Sequence, residues 1–325
     1  MAWLLWGAGT ILYSNLQPEG LREGLLLAYL AWLLLAFFGI KDKTRRLKAV
    51  LGSGVIVTLL YVAVRPSNER DWQADVAVAA TAEVDGELIT IHGVRNFHYR
   101  SESDFDEQWE DRTYDLSKLR TLDLFMSFWG PVEYCHTIVS FGFEGGEQLA
   151  ASIEVRKEVG EGFSTFGGLF KMFELSYVFA DERDLIGLRT NYRNEDVYLY
   201  RLYAKPEVLK DLFLSYVHYA DNLSAEPEFY GILTNSCGVN ILNRVAESGG
   251  RGVWDAKETL LNGYWGDILY ERGVLDQSLP FEELRELSHI NSAAQVGGLD
   301  AAYSARIRVG LPQAPSKRPS DPEMD

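Results

Sequence analysis

Cys237, in Thr234-Asn235-Ser236-Cys237-Gly238-Val239-Asn240, and His136, in Tyr134-Cys135-His136-Thr137-Ile138-Val139-Ser140-Phe141, are a thiol and an imidazole set where nucleophilic chemistry would need them. Asn235 and Ser236 are good helix N-caps, and Val239, Leu242, Val245 and Ala246 recur at helical spacing, so Cys237 is expected to open a helix. A thiol there lies beside unpaired backbone N–H groups and the positive end of the helix dipole, which favours the thiolate. The same N–H groups can hold an oxyanion. His136 opens an alternating run that reads as a strand. Each residue also has a plain structural explanation: a small buried cysteine, and a histidine satisfied by a local hydrogen bond.

A strand histidine and a helix-start cysteine are the two halves of a papain-type site, here with the histidine first in the chain. A third member is available across a hairpin. His136–Phe143 and Gln148–Val155 alternate on either side of Glu144-Gly145-Gly146-Glu147, and a turn there sets His136 opposite Glu154. One residue of slip would put Val155 there instead. A carboxylate beside the imidazole would fix its tautomer and raise its basicity, although Glu154 could equally be an exposed strand residue paired with Arg156. Cys135 is the rival nucleophile, but neighbouring strand residues point to opposite faces, so it turns away from whatever His136 serves. Arg156-Lys157 could hold a lipid phosphate, or simply be a solvated strand end. No GxSxG elbow or Walker loop occurs, and no two histidines have metal-ligand spacing, so neither a metal nor another cofactor is expected.

The elements that must position these groups follow from the pattern. Leu119–Trp129, Tyr177–Ala180 and Val197–Ala204 read as further strands, with a hairpin turn at Val84-Asp85-Gly86-Glu87. Ser101–Arg112 is acidic and reads as a surface loop, and a short helix is expected near Gly168–Leu175. From Pro206 the period becomes helical, through Leu209, Leu212, Phe213, Tyr216 and Val217 to about Leu223. The Cys237 helix should end before Gly249-Gly250, with helical pieces at Lys257–Leu269, Pro280–Leu287 and Ala301–Val309. Residues 311–325 read as a disordered tail. A strand-rich half followed by a helical half makes residues 66–310 an α+β domain with an antiparallel sheet.

Residues 1–65 are of a different kind. Gly24–Ile40 and Ala49–Val64 carry no charge and are at the short end of bilayer-crossing length, and Met1–Leu16 is a third uncharged run. Two to three transmembrane helices are expected. Lys41, Lys43, Arg45, Arg46 and Lys48 mark the cytoplasmic side, which sends everything after Arg65 outward: in a bacterium, an inner-membrane anchor with a periplasmic domain. Residues 1–65 hold seven basic and three acidic side chains; the rest hold 24 and 44, a net charge of −20. A domain that acidic is a poor partner for nucleic acid. Two cysteines do not make a disulfide framework.

Several stretches resemble the bacterial Lnb N-terminal periplasmic domain family: Arg65–Trp72 (RPSNERDW), Ile91–Arg100 (IHGVRNFHYR), Arg112–Leu119 (RTYDLSKL), His136–Phe141 (HTIVSF), Ser152–Glu158 (SIEVRKE), Ala180–Arg193 (ADERDLIGLRTNYR) and Val197–Leu202 (VYLYRL). Leu260–Tyr264 (LLNGY) and Leu279–Arg285 (LPFEELR) extend the likeness to about residue 310. The resemblance implies a papain-like cysteine fold with permuted, His-before-Cys order and an acyl-transfer activity. The namesake member moves a fatty acyl chain onto the amino group of a lipoprotein's lipidated N-terminal cysteine. His136 matches the family histidine, Cys237 the cysteine, and Asn240-Ile241 the residues that follow; Ser236 stands where asparagine is usual. With Asn240 added on this likeness, Arg156, Lys157 and Asn240 are the candidate substrate contacts, and Cys237, His136 and Glu154 the candidate catalytic ones. Membrane lipid and a lipoprotein amine are the partners implied. Two other readings stay open: an envelope peptidase or amidase, with a wetter cleft, and a non-catalytic lipid- or protein-binding module, with Cys237 buried and inert.

Overall fold

The computed structural model describes residues 2–14, 16, 19–250 and 254–314, so most of the tail expected to be disordered lies outside the described residues. The chain forms two compact units: Met1–Gln73 with Val155–Leu175 and Pro227–Asn235, and Ala74–Glu154 with Ser176–Glu226 and Ser236–Asp325.

The first unit contains helices α1 (Ala2–Leu12), α2 (Glu19–Gly39) and α3 (Lys43–Ala63). α2 and α3 are long and apolar enough to cross a membrane; α1, with 11 residues, is not. At 1.5 Å per residue, 21 residues reach about 31 Å, close to the hydrocarbon thickness of a bilayer. Their apolar side chains point outward, with Phe38 84% exposed and Leu27 67%, unlike the buried core helix of a soluble domain. Asp42 caps α3 by accepting the Arg45 N–H at 2.7 Å. At the other end Lys171 Nζ donates to the Tyr61 and Val64 carbonyls at 3.0 and 3.1 Å, a cation placed on the negative end of the helix. The polar stretch after α3 is held rather than loose. Arg70 pairs with Glu158 at 3.0 Å and with Glu174 at 3.2 Å.

The second unit is α+β, built on a mixed sheet rather than the antiparallel one expected. The sheet's strands are β1 (Thr81–Asp85), β2 (Leu88–Arg95), β5 (Trp109–Asp115), β6 (Leu119–Phe128), β7 (His136–Phe143), β8 (Gln148–Arg156), β9 (Glu174–Ala180) and β10 (Asp196–Leu202), the last two residues of β8 and the first two of β9 falling within the first unit. They run in the order β1-β2-β9-β8-β7-β6-β10, with β5 on β2. β2 and β9 meet in parallel at Arg95 and Ala180, because the chain returns to β2 only after the β6–β8 meander. A separate small hairpin joins β3 (His98–Tyr99) and β4 (Phe105–Asp106).

Two local expectations are corrected. The acidic stretch Ser101–Arg112 is not one surface loop: it contains β4 and leads into β5. Its acids hid an apolar set, Phe105 and Trp109, whose rings pack on Phe97 at 5.3 and 5.2 Å. The helix expected near Gly168–Leu175 is a single 3₁₀ turn at Gly167–Leu169, and the strand after it starts at Glu174, three residues earlier than Tyr177.

Helices cover both faces of the sheet. On one, Phe125, Ile138, Val178, Val197 and Leu199 form a core with α4 (Glu182–Gly187), α10 (Asn291–Gln295) and α11 (Tyr303–Arg306). On the other, α5 (Pro206–Ala225) places Phe213 and Tyr216 against Phe141 at 5.1 and 5.6 Å, and α6 (Cys237–Glu247) packs on β7. α7 (Ala256–Leu260), α8 (Trp265–Glu271) and α9 (Phe281–Ser288) complete the helical half.

Two fully buried carboxylates, Asp123 on β6 and Glu182 on α4, are held by one arginine from beyond α11. Arg308 reaches Asp123 at 2.8 Å and Glu182 at 2.7 Å, and Arg201 adds a second contact to Asp123 at 2.9 Å. Removing one member of such a set leaves charge buried without a partner, which costs about 3–5 kcal/mol. Arg308→Met is therefore expected to lower the unfolding midpoint sharply, and adding Asp123→Asn with Glu182→Gln should recover part of the loss. Equilibrium unfolding of the three chains measures this.

Candidate active site

α6 begins where the pattern placed it. Ser236, in extended conformation, accepts the Val239 N–H at 3.4 Å, so Cys237 is the first helical residue. His136 is the first residue of β7. Registered pairing between β7 and β8 runs from Gly142 opposite Gln148 to Ile138 opposite Ser152 and stops there. Continued by two residues, the same register carries His136 to Glu154.

The imidazole and the carboxylate meet. His136 Nε2 lies 2.8 Å from Ser152 Oγ and 3.2 Å from Glu154 Oε1, and the Ser152 hydroxyl donates to the same oxygen at 2.6 Å. With Nε2 spent on Ser152 and Glu154, Nδ1 is the ring nitrogen left for the thiol. Cys237 and His136 are within hydrogen-bonding reach, and the sulfur also receives the backbone N–H of Thr137. That N–H lies just beyond the last registered β7–β8 pair, where the two strands part.

Glu154 is steadied from a second side. Arg189 Nη2 lies 3.0 Å from Glu154 Oε1 while its Nη1 donates to the Leu185 carbonyl at 2.8 Å. Arg189 comes from a π-helical turn, Leu188–Arg193, that continues α4 and is closed by Asn194 at φ 52°. Asparagine tolerates that left-handed conformation, and π turns commonly re-aim side chains at functional sites.

These contacts set the charges. Burial by itself would lower the His136 pKa, but attraction to Glu154 and the hydrogen bond with Cys237 outweigh it and raise it to about 9. Burial would likewise raise the Cys237 thiol, yet His136 and the Thr137 N–H bring it down to about 7. Burial opposes ionisation of Glu154 as well, and His136 and Arg189 together hold it well below the usual carboxylate range. A thiolate beside an imidazolium is therefore the main form between about pH 7 and 9, as a pair rather than as two independent groups.

The other candidates have different surroundings. Cys135 is buried and faces Asn262, its N–H donating to Asn262 Oδ1 at 3.1 Å. Burial pushes its thiol well up, the nearby Cys237 charge adding to this; neither cysteine is in a disulfide. Asn240 is buried, its Oδ1 accepting from the Tyr177 hydroxyl and its Nδ2 donating to the Ser236 carbonyl, both at 3.0 Å. Its amide braces the start of α6. Arg156 is 3% exposed in the first unit, bonded to Asn68 Oδ1 at 2.6 Å and stacked 4.5 Å from the Trp72 ring, so it is no solvated strand end. Lys157 is half-buried beside it, its carbonyl accepting the Gln73 N–H at 2.9 Å. The residues missed from the pattern are Ser152, Thr137 and Arg189. Ser152 carried a signal, since it lies two positions from Glu154 on an alternating strand and shares its face.

The pair titrates in a defined direction. Alkylation of Cys237 should rise as pH passes about 7 and stay high, because the thiolate persists after His136 loses its proton near 9. In His136→Ala the midpoint should move to or above the ordinary thiol value of about 8.5, lowering the rate at pH 7 by roughly tenfold. Mass mapping with Cys135 as the slow internal reference reads both.

The family model described as the Lnb N-terminal periplasmic domain matches residues 105–261, a span that contains His136, Glu154 and Cys237. No curated protein and no solved structure matches the chain. Residues 105–261 are thus similar to the Lnb N-terminal periplasmic domain, in a chain whose two long apolar helices fit a membrane-anchored envelope protein.

Proposed function

We propose that the protein is a membrane-tethered thiol acyltransferase on a permuted papain-like fold. The observation that carries this is the Cys237 sulfur at the capped start of α6, beside an imidazole oriented by Ser152 and Glu154. The order His136 then Cys237, with the histidine strand and the cysteine helix packed together, supports the permuted reading.

In the first step the Cys237 thiolate attacks the ester carbonyl of a phospholipid, forming a C–S bond. The tetrahedral oxyanion would be met by backbone N–H groups in the first turn of α6. Collapse breaks the ester C–O bond, and the departing alkoxide takes its proton from the His136 imidazolium. In the second step an amine, such as that of a lipoprotein N-terminus, attacks the thioester. His136 accepts the amine proton and the thiolate leaves, giving an amide and the original enzyme. Ser152 and Glu154 keep Nε2 engaged throughout, so the ring does not turn away from the sulfur.

An acyl transfer of this kind needs both ionised partners, so its rate against pH should be bell-shaped, rising through about 7 and falling through about 9. Intact-mass measurement of the full chain in phospholipid vesicles should show an acyl adduct on Cys237 that hydroxylamine removes and that is absent in Cys237→Ala. Adding an N-terminal lipopeptide should then move the acyl group to its amine. An adduct lost to water alone would mean a hydrolase. No adduct, with Cys237 alkylating as slowly as Cys135, would mean a non-catalytic binding module.

A further inference from the structure

Beside the candidate active site the second unit exposes apolar side chains that its own core does not use. Trp129 is 60% exposed, Val132 55% and Tyr134 56%, all on the loop between β6 and β7 that leads directly into His136. Leu260, the last residue of α7, and Tyr264, on the turn that leads into α8, are each 40% exposed. The two segments are stapled together. The Gly263 N–H donates to the Glu133 carbonyl at 3.1 Å, and Asn262 exchanges hydrogen bonds with the Cys135 backbone at 3.1 and 2.7 Å. Glycine is required at 263, since a Cβ there would come within 1.9 Å of the Val132 carbonyl oxygen. The same turn abuts the nucleophile's helix: a Cβ on Gly238, next to Cys237, would touch the Trp265 ring at 3.4 Å and the Thr259 carbonyl at 3.5 Å.

Charge separates this rim from its surroundings. Residues 129–134 and 259–266 contain one charged side chain, Glu133, in a region whose net charge is −20, with Glu258 and Asp267 bounding the second stretch. The exposed apolar residues of the β1–β2 hairpin differ: Val84 and Leu88 are flanked by Glu83, Asp85 and Glu87. An acidic domain held close to anionic headgroups is repelled over most of its surface, and a nearly uncharged window is where approach is least opposed. Tryptophan and tyrosine are also the side chains that settle at the boundary between headgroups and acyl chains, with an apolar ring body and a polar edge.

We infer that the loop Trp129–Tyr134 and the turn Leu260–Tyr264 form an interfacial rim that docks the second unit on the lipid surface in which the chain is anchored. Lipid, rather than a protein, is the occupant because α2 and α3 supply a membrane tether in the same chain and because the rim combines interfacial aromatics with almost no charge. Docking there brings the segments that lead into His136 and the start of α6 to the bilayer. The inference rests on the membrane-anchored reading and is independent of acyl transfer.

The test uses the full chain in phospholipid nanodiscs, with Cys135→Ala and Cys237→Ala leaving one introduced thiol for an environment-sensitive fluorophore. Probes at Trp129→Cys and Val132→Cys should show blue-shifted emission that brominated acyl chains quench, and a probe at Val84→Cys should show neither. Emission at 129 and 132 as water-like as at 84 would overturn the inference. So would blue-shifted emission that lipid does not quench, which would mean that protein covers the rim. Alkylation of Cys237 by a soluble reagent is measured separately in the unmodified chain, so failure of docking and failure of the thiol chemistry remain distinguishable.

Discussion

The carboxylate of Glu154 is the constraint on which the candidate site depends. It is shared by His136, by the Ser152 hydroxyl and by Arg189, all converging on one oxygen within 3.2 Å. Without it the buried imidazole would lose its proton readily, and the thiol, deprived of an imidazolium, would stay protonated at neutral pH. Burying so many charges is costly, and it is tolerated here because signs alternate: Glu154 between Arg189 and His136, and His136 between Glu154 and Cys237. Arg189 weakens the pull of Glu154 on the imidazole somewhat, but in exchange it keeps the carboxylate ionised and aimed.

That arrangement depends in turn on where the sheet opens. β7 and β8 are paired along most of their length and part at the end that bears His136, freeing the Thr137 N–H for the sulfur. α4 and its π turn cover the face that carries Ser152 and Glu154, and α6 covers the other. The imidazole can therefore be reached by a carboxylate from one side and a thiol from the other. The Arg308 cluster locks the segment after α11 to β6 and α4 and so holds the covered face closed.

The membrane half contributes location. α2 and α3 present apolar surface outward and carry their charges in their first turns, Glu19, Arg22 and Glu23 on α2 and Lys43, Arg45, Arg46 and Lys48 on α3, leaving the rest of each helix uncharged. For the acyl transfer proposed above, a thiol tethered to a bilayer would meet acyl donors at high local concentration, whereas the same thiol in bulk water would meet few.

Much of this could be read in the chain. The N-cap at Ser236, the strand opening at His136, the hairpin about Gly145-Gly146 and the apolar runs before residue 65 are local signals, set by propensity, period and turn chemistry within a few residues. The hairpin even brings Glu154 to His136, because the register of a short antiparallel turn follows from its length. The acidic stretch around β5 misled, since composition there outvoted a sparse set of aromatics. Tertiary structure alone decided the rest. The parallel contact of β2 with β9 joins residues 95 and 180, and Arg189 reaches Glu154 across 35 residues through a π turn that no local period announces. Arg156, which the sequence leaves between a lipid-phosphate role and a solvated strand end, is buried and stacks on Trp72, a contact across 84 residues. Local spacing determines which groups can do chemistry; which of them share a charge is decided by contacts between residues far apart in the chain, whose energies no short window contains.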